Sequence, residues 1–139
     1  MAAITARLRQ TTAFTSEAAI RQHRVLVDRP TDKGGTDQGP MGGELFLASI
    51  GGCFLSNLLA AARAREGGAP VSGVQVDVAG TLEQNPARFV SVELTVTGEC
   101  ADPAYFEKLV EIAERGCIMV NTLRGKLDLQ LRIGAASSV

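Results

Sequence analysis

An uncharged apolar segment in the middle of the chain constrains the fold more than any other feature. Residues 45–62 read LFLASIGGCFLSNLLAAA and are long enough to approach the ~20 residues that span a membrane. The segment nevertheless contains adjacent glycines and several polar residues, and it lacks flanking polybasic or aromatic anchors. A helix that is apolar on nearly every side is typical of the centre of a soluble domain. We therefore predict a buried central helix over residues 44–65 and no membrane association.

Composition narrows the class of protein further. A chain of 139 residues is expected to form a single domain over residues 1–139. The net charge of −1, without a Lys/Arg cluster, argues against binding to nucleic acid or an anionic membrane. No apolar run follows the N-terminal sequence MAAITARLRQ, so no signal peptide is predicted. Three widely spaced cysteines do not form a secreted disulfide framework, which favours a cytoplasmic location.

Segments with the character of strands lie on both sides of this helix. They cover residues 4–11, 20–28, 74–78, 90–96 and 126–133, several with apolar residues at alternate positions. Residues 83–86 form the turn of a hairpin, and the Gly-, Asp- and Pro-rich residues 31–43 form a long loop. This order of elements predicts an α+β fold with a largely antiparallel sheet.

A second helix is predicted after Asp102-Pro103, where Asp is a good cap and Pro a good first residue. Its buried stripe comprises Phe106, Leu109, Val110 and Ala113, and Cys117 continues that stripe inward. A helix of about 14 residues is ~21 Å long. Cys100, which precedes this helix, therefore cannot form a disulfide with Cys117 in the same chain.

The apolar central helix needs more cover than one small sheet and one short helix can supply. An unburied apolar face of this size is most readily covered by a second copy of the chain. We therefore expect a homodimer.

Cys53 and Cys117 are the candidate reactive residues, and two interpretations are open. Free cysteine is among the most buried residue types and usually acts as a small apolar side chain, so both could be inert. Alternatively, Cys53 could be a thiolate that attacks a peroxide, with Cys117 capturing the resulting sulfenic acid as a disulfide. An apolar environment around both thiols would suit an apolar substrate.

A reactive Cys53 needs a cation nearby, because apolar burial raises the pKa of a thiol. Candidates before the central helix are Arg21, Arg24, Arg29 and Lys33, and Arg124 is a weaker one. Arg29 is our first choice because it lies where a strand meets the long loop, although a solvated surface arginine fits equally. No metal or cofactor site is predicted, since CxxC, HxxxH and phosphate-loop patterns are missing and His23 is the only histidine.

Two stretches of sequence closely resemble the OsmC/Ohr family, the osmotically induced protein C and organic hydroperoxide resistance proteins. They are GGTDQGPMGGELFLASIGGC and ERGCIMVNTLRGKLDLQL, and the resemblance runs from about residue 4 to 133. It implies an OsmC-like intertwined homodimer, with two sites at the subunit interface, that reduces organic hydroperoxides in a stress response. By the same resemblance Cys53 is the peroxidatic cysteine, Cys117 the resolving cysteine, and a lipoyl-type dithiol the reductant, with no bound cofactor.

The chain departs from the best-characterised members, which carry an arginine-binding glutamate ten residues before the first cysteine. Gly43 occupies that position here, and Glu44 lies nine residues before Cys53. Nine helical residues rotate by ~900°, which would place Glu44 opposite Cys53. Glu44 and Arg29 are retained as catalytic candidates, although Glu44 is better suited to the helix N-terminus. The alternative to an enzyme is a redox-sensing or ligand-binding dimer with the same fold, or a purely structural subunit.

Overall fold

The computed structural model describes residues 1–134 and confirms the α+β class. The chain divides into two compact units, Met1–Phe46 and a second that begins at Leu47; a single domain over the whole chain stays a prediction. The strands are β1 Arg7–Gln10, β2 Ser16–Ile20, β3 His23–Val27, β4 Val71–Glu83, β5 Arg88–Cys100 and β6 Asp128–Ile133. The helices are α1 Gly42–Arg63, α2 Pro103–Gly116 and α3 Ile118–Leu123, with a 3-10 turn at Thr31–Lys33.

The first unit contains an antiparallel sheet in the order β1-β2-β3. Its central strand, β2, was not predicted, because the sequence SEAAI has weak strand propensity and no clear alternation. This strand is paired along both edges, with Arg7 opposite Ala19 on one side and Ser16 opposite Val27 on the other. Pairing with two neighbours therefore overrides local propensity here.

The second unit contains a sheet in the order β4-β5-β6. Strands β4 and β5 form the predicted hairpin, and Val92, Leu94 and Val96 on β5 are almost completely buried. Strand β6 pairs with β5 in the parallel sense, so the sheet is antiparallel only in part. Parallel neighbours need a long crossover, and α2 and α3 supply it.

Helix α1 extends over Gly42–Arg63, two residues earlier than predicted at each end. Its buried residues form a single stripe, Ile50, Gly51, Phe54 and Leu58. By length and composition it is the one helix within residues 1–134 that could cross a membrane. In the 18-residue stretch of this helix that meets the criterion, 22% of the residues are buried. One chain alone therefore does not bury α1 on every side, as the sequence had led us to expect. The absence of membrane association stays a prediction.

Helix α2 has the predicted cap, and its apolar stripe is buried as expected. The Asp102 side chain accepts a hydrogen bond from the backbone N–H of Tyr105 at 3.1 Å, with Pro103 in the first turn. The helix ends at Gly116, and the short helix α3, which was not predicted, begins at Ile118. Cys117 between them has an extended backbone, with φ −78° and ψ 115°, so it lies at the junction of two helices.

Candidate functional site

The structure brings Cys53 and Cys117 together within the second unit. Cys53 lies on α1 and is half-buried, whereas Cys117 is completely buried at the α2–α3 junction. Their thiols interact directly, although 64 positions separate them in the sequence. Both are free thiols, not a disulfide. The inward orientation predicted for Cys117 is confirmed, and a pair of adjacent thiols can in principle be oxidised to a disulfide.

Burial is the main reason why the pKa of the Cys117 thiol is raised. The adjacent Cys53 thiol acts in the same direction, and the backbone N–H groups of Val120 and Met119 oppose the rise. Cys117 is consequently a protonated thiol at neutral pH. A protonated thiol reacts slowly with peroxide, because the thiolate is the nucleophile.

Cys100 is separated from this pair by the whole of α2. It is half-buried and donates a hydrogen bond from its Sγ to the carbonyl oxygen of Asp102 at 3.4 Å. Helix α2 has 14 residues, which span ~21 Å along the axis. The observed helix supports the expectation that Cys100 cannot pair with Cys117.

The buried carboxylate of Asp28 organises the loop that carries Arg29 in the first unit. Its oxygens accept hydrogen bonds from the hydroxyls of Thr36 at 2.6 Å and Thr15 at 3.0 Å. They also accept the backbone N–H of Arg29 at 2.6 Å and of Gln38 at 3.1 Å. The Thr36 hydroxyl is the largest cause that holds the pKa of Asp28 far below its ordinary value, against the opposing effect of burial. Asp28 is therefore an ionised centre around which the loop folds.

Asp28 was not identified from sequence, where it marked only the end of a strand. The available signal was an Asp followed by a loop rich in Thr and Gly, because Asp side chains bind nearby backbone N–H groups. Gly35 belongs to the same arrangement: a Cβ at this position would collide with the carbonyl oxygen of Arg29. Together these contacts determine where the backbone of Arg29 lies.

The Arg29 side chain is exposed and contributes to the wall of a cavity of about 510 Å³ in the first unit, shared with Lys33 and Phe14. Within residues 1–134 no ion pair involves Arg29. Two of the other candidate cations are paired, since Arg24 lies 3.5 Å from Glu17 and Arg124 lies 3.1 Å from Glu114. Arg29 belongs to the first unit and Cys53 to the second, and activation of Cys53 by Arg29 stays a prediction.

Glu44 has the local role that its position suggested. Its Oε1 accepts a hydrogen bond from the backbone N–H of Met41 at 2.8 Å, directly before α1 begins. An acid three residues into a helix commonly caps the first N–H in this way, and it also interacts favourably with the helix dipole. The interpretation of Glu44 as a helix N-terminal acid is confirmed, while a catalytic role for it stays a prediction.

The remaining polar groups do not form a metal centre in the part of the chain that the structure describes. Residues 1–134 contain no group of three or more His, Cys, Asp or Glu side chains placed to hold a metal ion. His23 is exposed at the start of β3.

Comparison with known protein families identifies a family whose model matches most of the chain. The model for OsmC-like protein matches residues 35–132. A comparison with curated proteins finds no match.

Solved structures resemble the chain over nearly its whole length. The OsmC like protein from Mycoplasma pneumoniae has a TM-score of 0.83 at 15% identity and covers 98% of this chain and 99% of its own. A hypothetical protein from Aquifex aeolicus VF5 has a TM-score of 0.81 at 13% identity, with both chains covered completely. The organic hydroperoxide resistance protein OhrB of Bacillus subtilis has a TM-score of 0.64 at 20% identity, covering 94% and 98%. At these identities the likeness establishes a shared fold.

Proposed function

The chain belongs to the family of OsmC-like proteins, and from that premise we propose that it is a cysteine-based peroxidase that reduces organic hydroperoxides. The family match extends over more than half of the 139 residues. Three of the similar structures are named organic hydroperoxide resistance proteins, from Bacillus subtilis, Elizabethkingia anophelis and Legionella pneumophila. The single observation that carries the proposal is the contact between the Cys53 and Cys117 thiols.

The proposed reaction has three balanced steps. The Cys53 thiolate attacks the outer oxygen of ROOH, the O–O bond breaks, and with one proton from solvent the products are Cys53 sulfenic acid and ROH. The Cys117 thiol then loses its proton to water, and its sulfur attacks the Cys53 sulfur, which forms the disulfide and releases hydroxide. A lipoyl-type dithiol reduces this disulfide by two exchanges and becomes a disulfide itself, which restores both thiols.

The placement of the two thiols supports a division of roles between them. Cys53 is the more accessible of the pair and can meet a substrate, whereas Cys117 is completely buried. Because the raised pKa of Cys117 keeps it protonated, its reaction with free peroxide is suppressed. Its contact with Cys53 still allows it to capture a sulfenic acid formed there.

We place this reaction in a cytoplasmic homodimer in which the second copy covers the outward face of α1. That face includes Ala48, Gly52, Ser56 and Leu59, which are exposed in one chain and recur at roughly one-turn spacing. Arg29 is the proposed cation that activates Cys53, since it has no ion-pair partner within residues 1–134.

The test is a comparison of cysteine variants in a turnover assay with cumene hydroperoxide and dihydrolipoamide. We expect Cys53→Ser to lower peroxide consumption at least 100-fold, because it removes the attacking thiolate. Cys117→Ser should retain the first oxidation, lose the disulfide, and lower steady-state turnover at least tenfold. Cys100→Ser is the matched control and should behave like the wild type. Peroxide consumption by Cys53→Ser at the wild-type rate would exclude this function.

A second candidate is a redox-sensing or ligand-binding dimer with little turnover. The observation that favours it is the hydrogen bond from the Met41 N–H to Glu44. Glu44 is the acid nearest in sequence to position 43, where the best-characterised members carry their arginine-binding glutamate, and here it caps α1. This alternative predicts that one equivalent of peroxide forms the disulfide and that excess dithiol produces no sustained consumption. Single-turnover and steady-state measurements on the same sample separate the two functions.

A further inference from the structure

Asn57 on α1 is half-buried and carries a buried amide nitrogen that the site described so far does not use. Its Nδ2 is shielded from solvent and has no hydrogen-bond partner within residues 1–134. Buried polar side-chain atoms in proteins are nearly always hydrogen-bonded, and an exception calls for an explanation such as a catalytic role. A leucine at this position would fill a similar volume without burying an unpaired donor.

The position of Asn57 places this donor on the Cys53 side of α1 and next to the residue that precedes Cys117. Asn57 follows Cys53 by one helical turn, so both side chains lie on the same side of α1. Its Nδ2 lies 3.6 Å from the point that a Cβ on Gly116 would occupy. Gly116 directly precedes Cys117, whose thiol contacts Cys53. The amide therefore packs against the segment that carries the buried thiol.

Few charged groups near Cys117 could serve the amide as partners. Glu114, one turn earlier on α2, is paired with Arg124 at 3.1 Å, and the first turn of α3 carries no acidic or basic residue. From α1 the ionisable group that contacts Cys117 is Cys53. A new negative charge arises beside Asn57 when one of these two thiols loses its proton.

We propose that Asn57 is a positioning residue whose Nδ2–H donates a hydrogen bond to the Cys117 sulfur when that thiol is deprotonated, which aligns it for attack on Cys53 sulfenic acid. The inference rests on the proposed peroxidase function. In this step the Cys117 thiol gives its proton to water, its sulfur forms the S–S bond, and the hydroxyl group of the sulfenic acid leaves as hydroxide. The donor has no partner in the resting thiol state and gains one in the thiolate state.

The first test measures the ionisation of Cys117 without any peroxide. In a Cys53→Ser/Cys100→Ser background, Cys117 is the remaining thiol, and thiolate absorbance at 240 nm reports its titration. Adding Asn57→Leu should move the midpoint upward by about one pH unit, because the thiolate loses a charge-assisted hydrogen bond. Asn57→Asp, which is close in shape to Asn, should move it upward at least as far by charge repulsion. Unchanged midpoints in both variants would overturn the proposal.

The second test uses the chain with all three cysteines, one equivalent of cumene hydroperoxide, and dimedone to trap sulfenic acid. Asn57→Leu should increase the trapped fraction several-fold because formation of the disulfide slows. Asn121→Leu is the matched control, since the exposed Asn121 donates its Nδ2–H to the Arg115 carbonyl at 3.0 Å, and it should not change trapping. Equal trapping by Asn57→Leu and Asn121→Leu would contradict the proposal. If the wild type forms no sulfenic acid or disulfide, the peroxidase function fails, while the titration still decides whether Asn57 binds the thiolate.

Discussion

Two buried polar groups show how differently one fold can treat hydrogen-bonding atoms. The Asp28 carboxylate accepts hydrogen bonds from two hydroxyls and from several backbone N–H groups, and it remains ionised. The Asn57 amide has a donor without a partner within residues 1–134. The first arrangement stabilises a loop, whereas the second leaves a buried donor that, in our proposal, binds the Cys117 thiolate.

The hydrogen bonds of Asp28 predict a dependence of stability on acid pH. Its pKa in the folded protein lies far below the value of about 3.9 expected in the unfolded chain. Below that unfolded value the unfolded chain binds a proton that the folded protein does not. The contribution of Asp28 to stability is therefore complete above about pH 4 and is lost as the pH falls towards the folded pKa. We expect the thermal midpoint of the wild type to fall over this range.

Asp28→Asn tests the source of that dependence by thermal unfolding between pH 2 and pH 7. The variant should unfold at a lower temperature at pH 7, because an amide cannot accept hydrogen bonds from the same set of donors. Its thermal midpoint should also fall less than that of the wild type when the pH is lowered. Asp32→Asn, which changes an exposed acid in the same loop, is the control and should follow the wild-type curve. An unchanged acid dependence in Asp28→Asn would refute the interpretation.

At the scale of elements, the close approach of α1 to strand β4 depends on a glycine. A Cβ at Gly51 would lie 2.8 Å from Cγ2 of Val78 and 3.7 Å from Cγ1 of Val76. Gly51 is buried within the stripe that also contains Phe54. The helix can therefore lie directly on the valines of the hairpin, and this contact contributes to placing the Cys53 segment in the core of the second unit.

We expect Gly51→Ala to destabilise the protein by about 1–3 kcal/mol, the usual range for overpacking a dense core. This loss should exceed the gain of up to about 1 kcal/mol from the higher helix propensity of alanine. Denaturant unfolding measures the free energy of each variant. The double variant Gly51→Ala/Val78→Ala should be less destabilised than the sum of the single changes, because Val78→Ala makes room for the new methyl group. Strict additivity would show that the two side chains do not meet.

The break between α2 and α3 is the second feature at this scale. A single continuous helix would carry Cys117 along the α2 stripe, whereas the extended backbone at Cys117 starts a new helix there. The break follows Gly116, and the Cys117 thiol at this junction contacts Cys53 on α1. The position of the Cys117 thiol therefore depends on a break that no helical repeat specifies.

At the scale of the whole molecule, the outward face of α1 predicts the assembly. Leu59 is 40% exposed on a helix whose buried stripe is confined to the other side. Leu59→Glu should convert the proposed dimer into a monomer, because it would bury a charge at the interface. Sedimentation velocity measures the change in mass. Leu59→Met, which conserves volume and apolar character, is the matched control and should remain dimeric. A wild type that sediments as a monomer at micromolar concentration would refute the assembly.

Much of the local structure was predictable because it is encoded by neighbours in the sequence. The alternating valines specified the β4–β5 hairpin, and the Asp102-Pro103 start with its apolar stripe specified α2. The length of the apolar segment specified α1 to within two residues at each end. Strand β2 and helix α3 were missed because both are short. Strand β2 has weak strand propensity and depends on pairing with β1 and β3, and α3 has one buried residue, Val120.

The candidate site was predictable in its residue types and, in part, in its partners. The cysteines were evident from sequence, and so was the fact that α2 separates Cys100 from Cys117. Contact between Cys53 and Cys117 was decided only by the tertiary structure, because residues 64 positions apart meet when helices and sheet pack together. The tertiary structure also decided that the Asp28 carboxylate is fully hydrogen-bonded and that the Asn57 Nδ2 has no partner within residues 1–134. Hydrogen-bond partners depend on three-dimensional proximity and not on any sequence period.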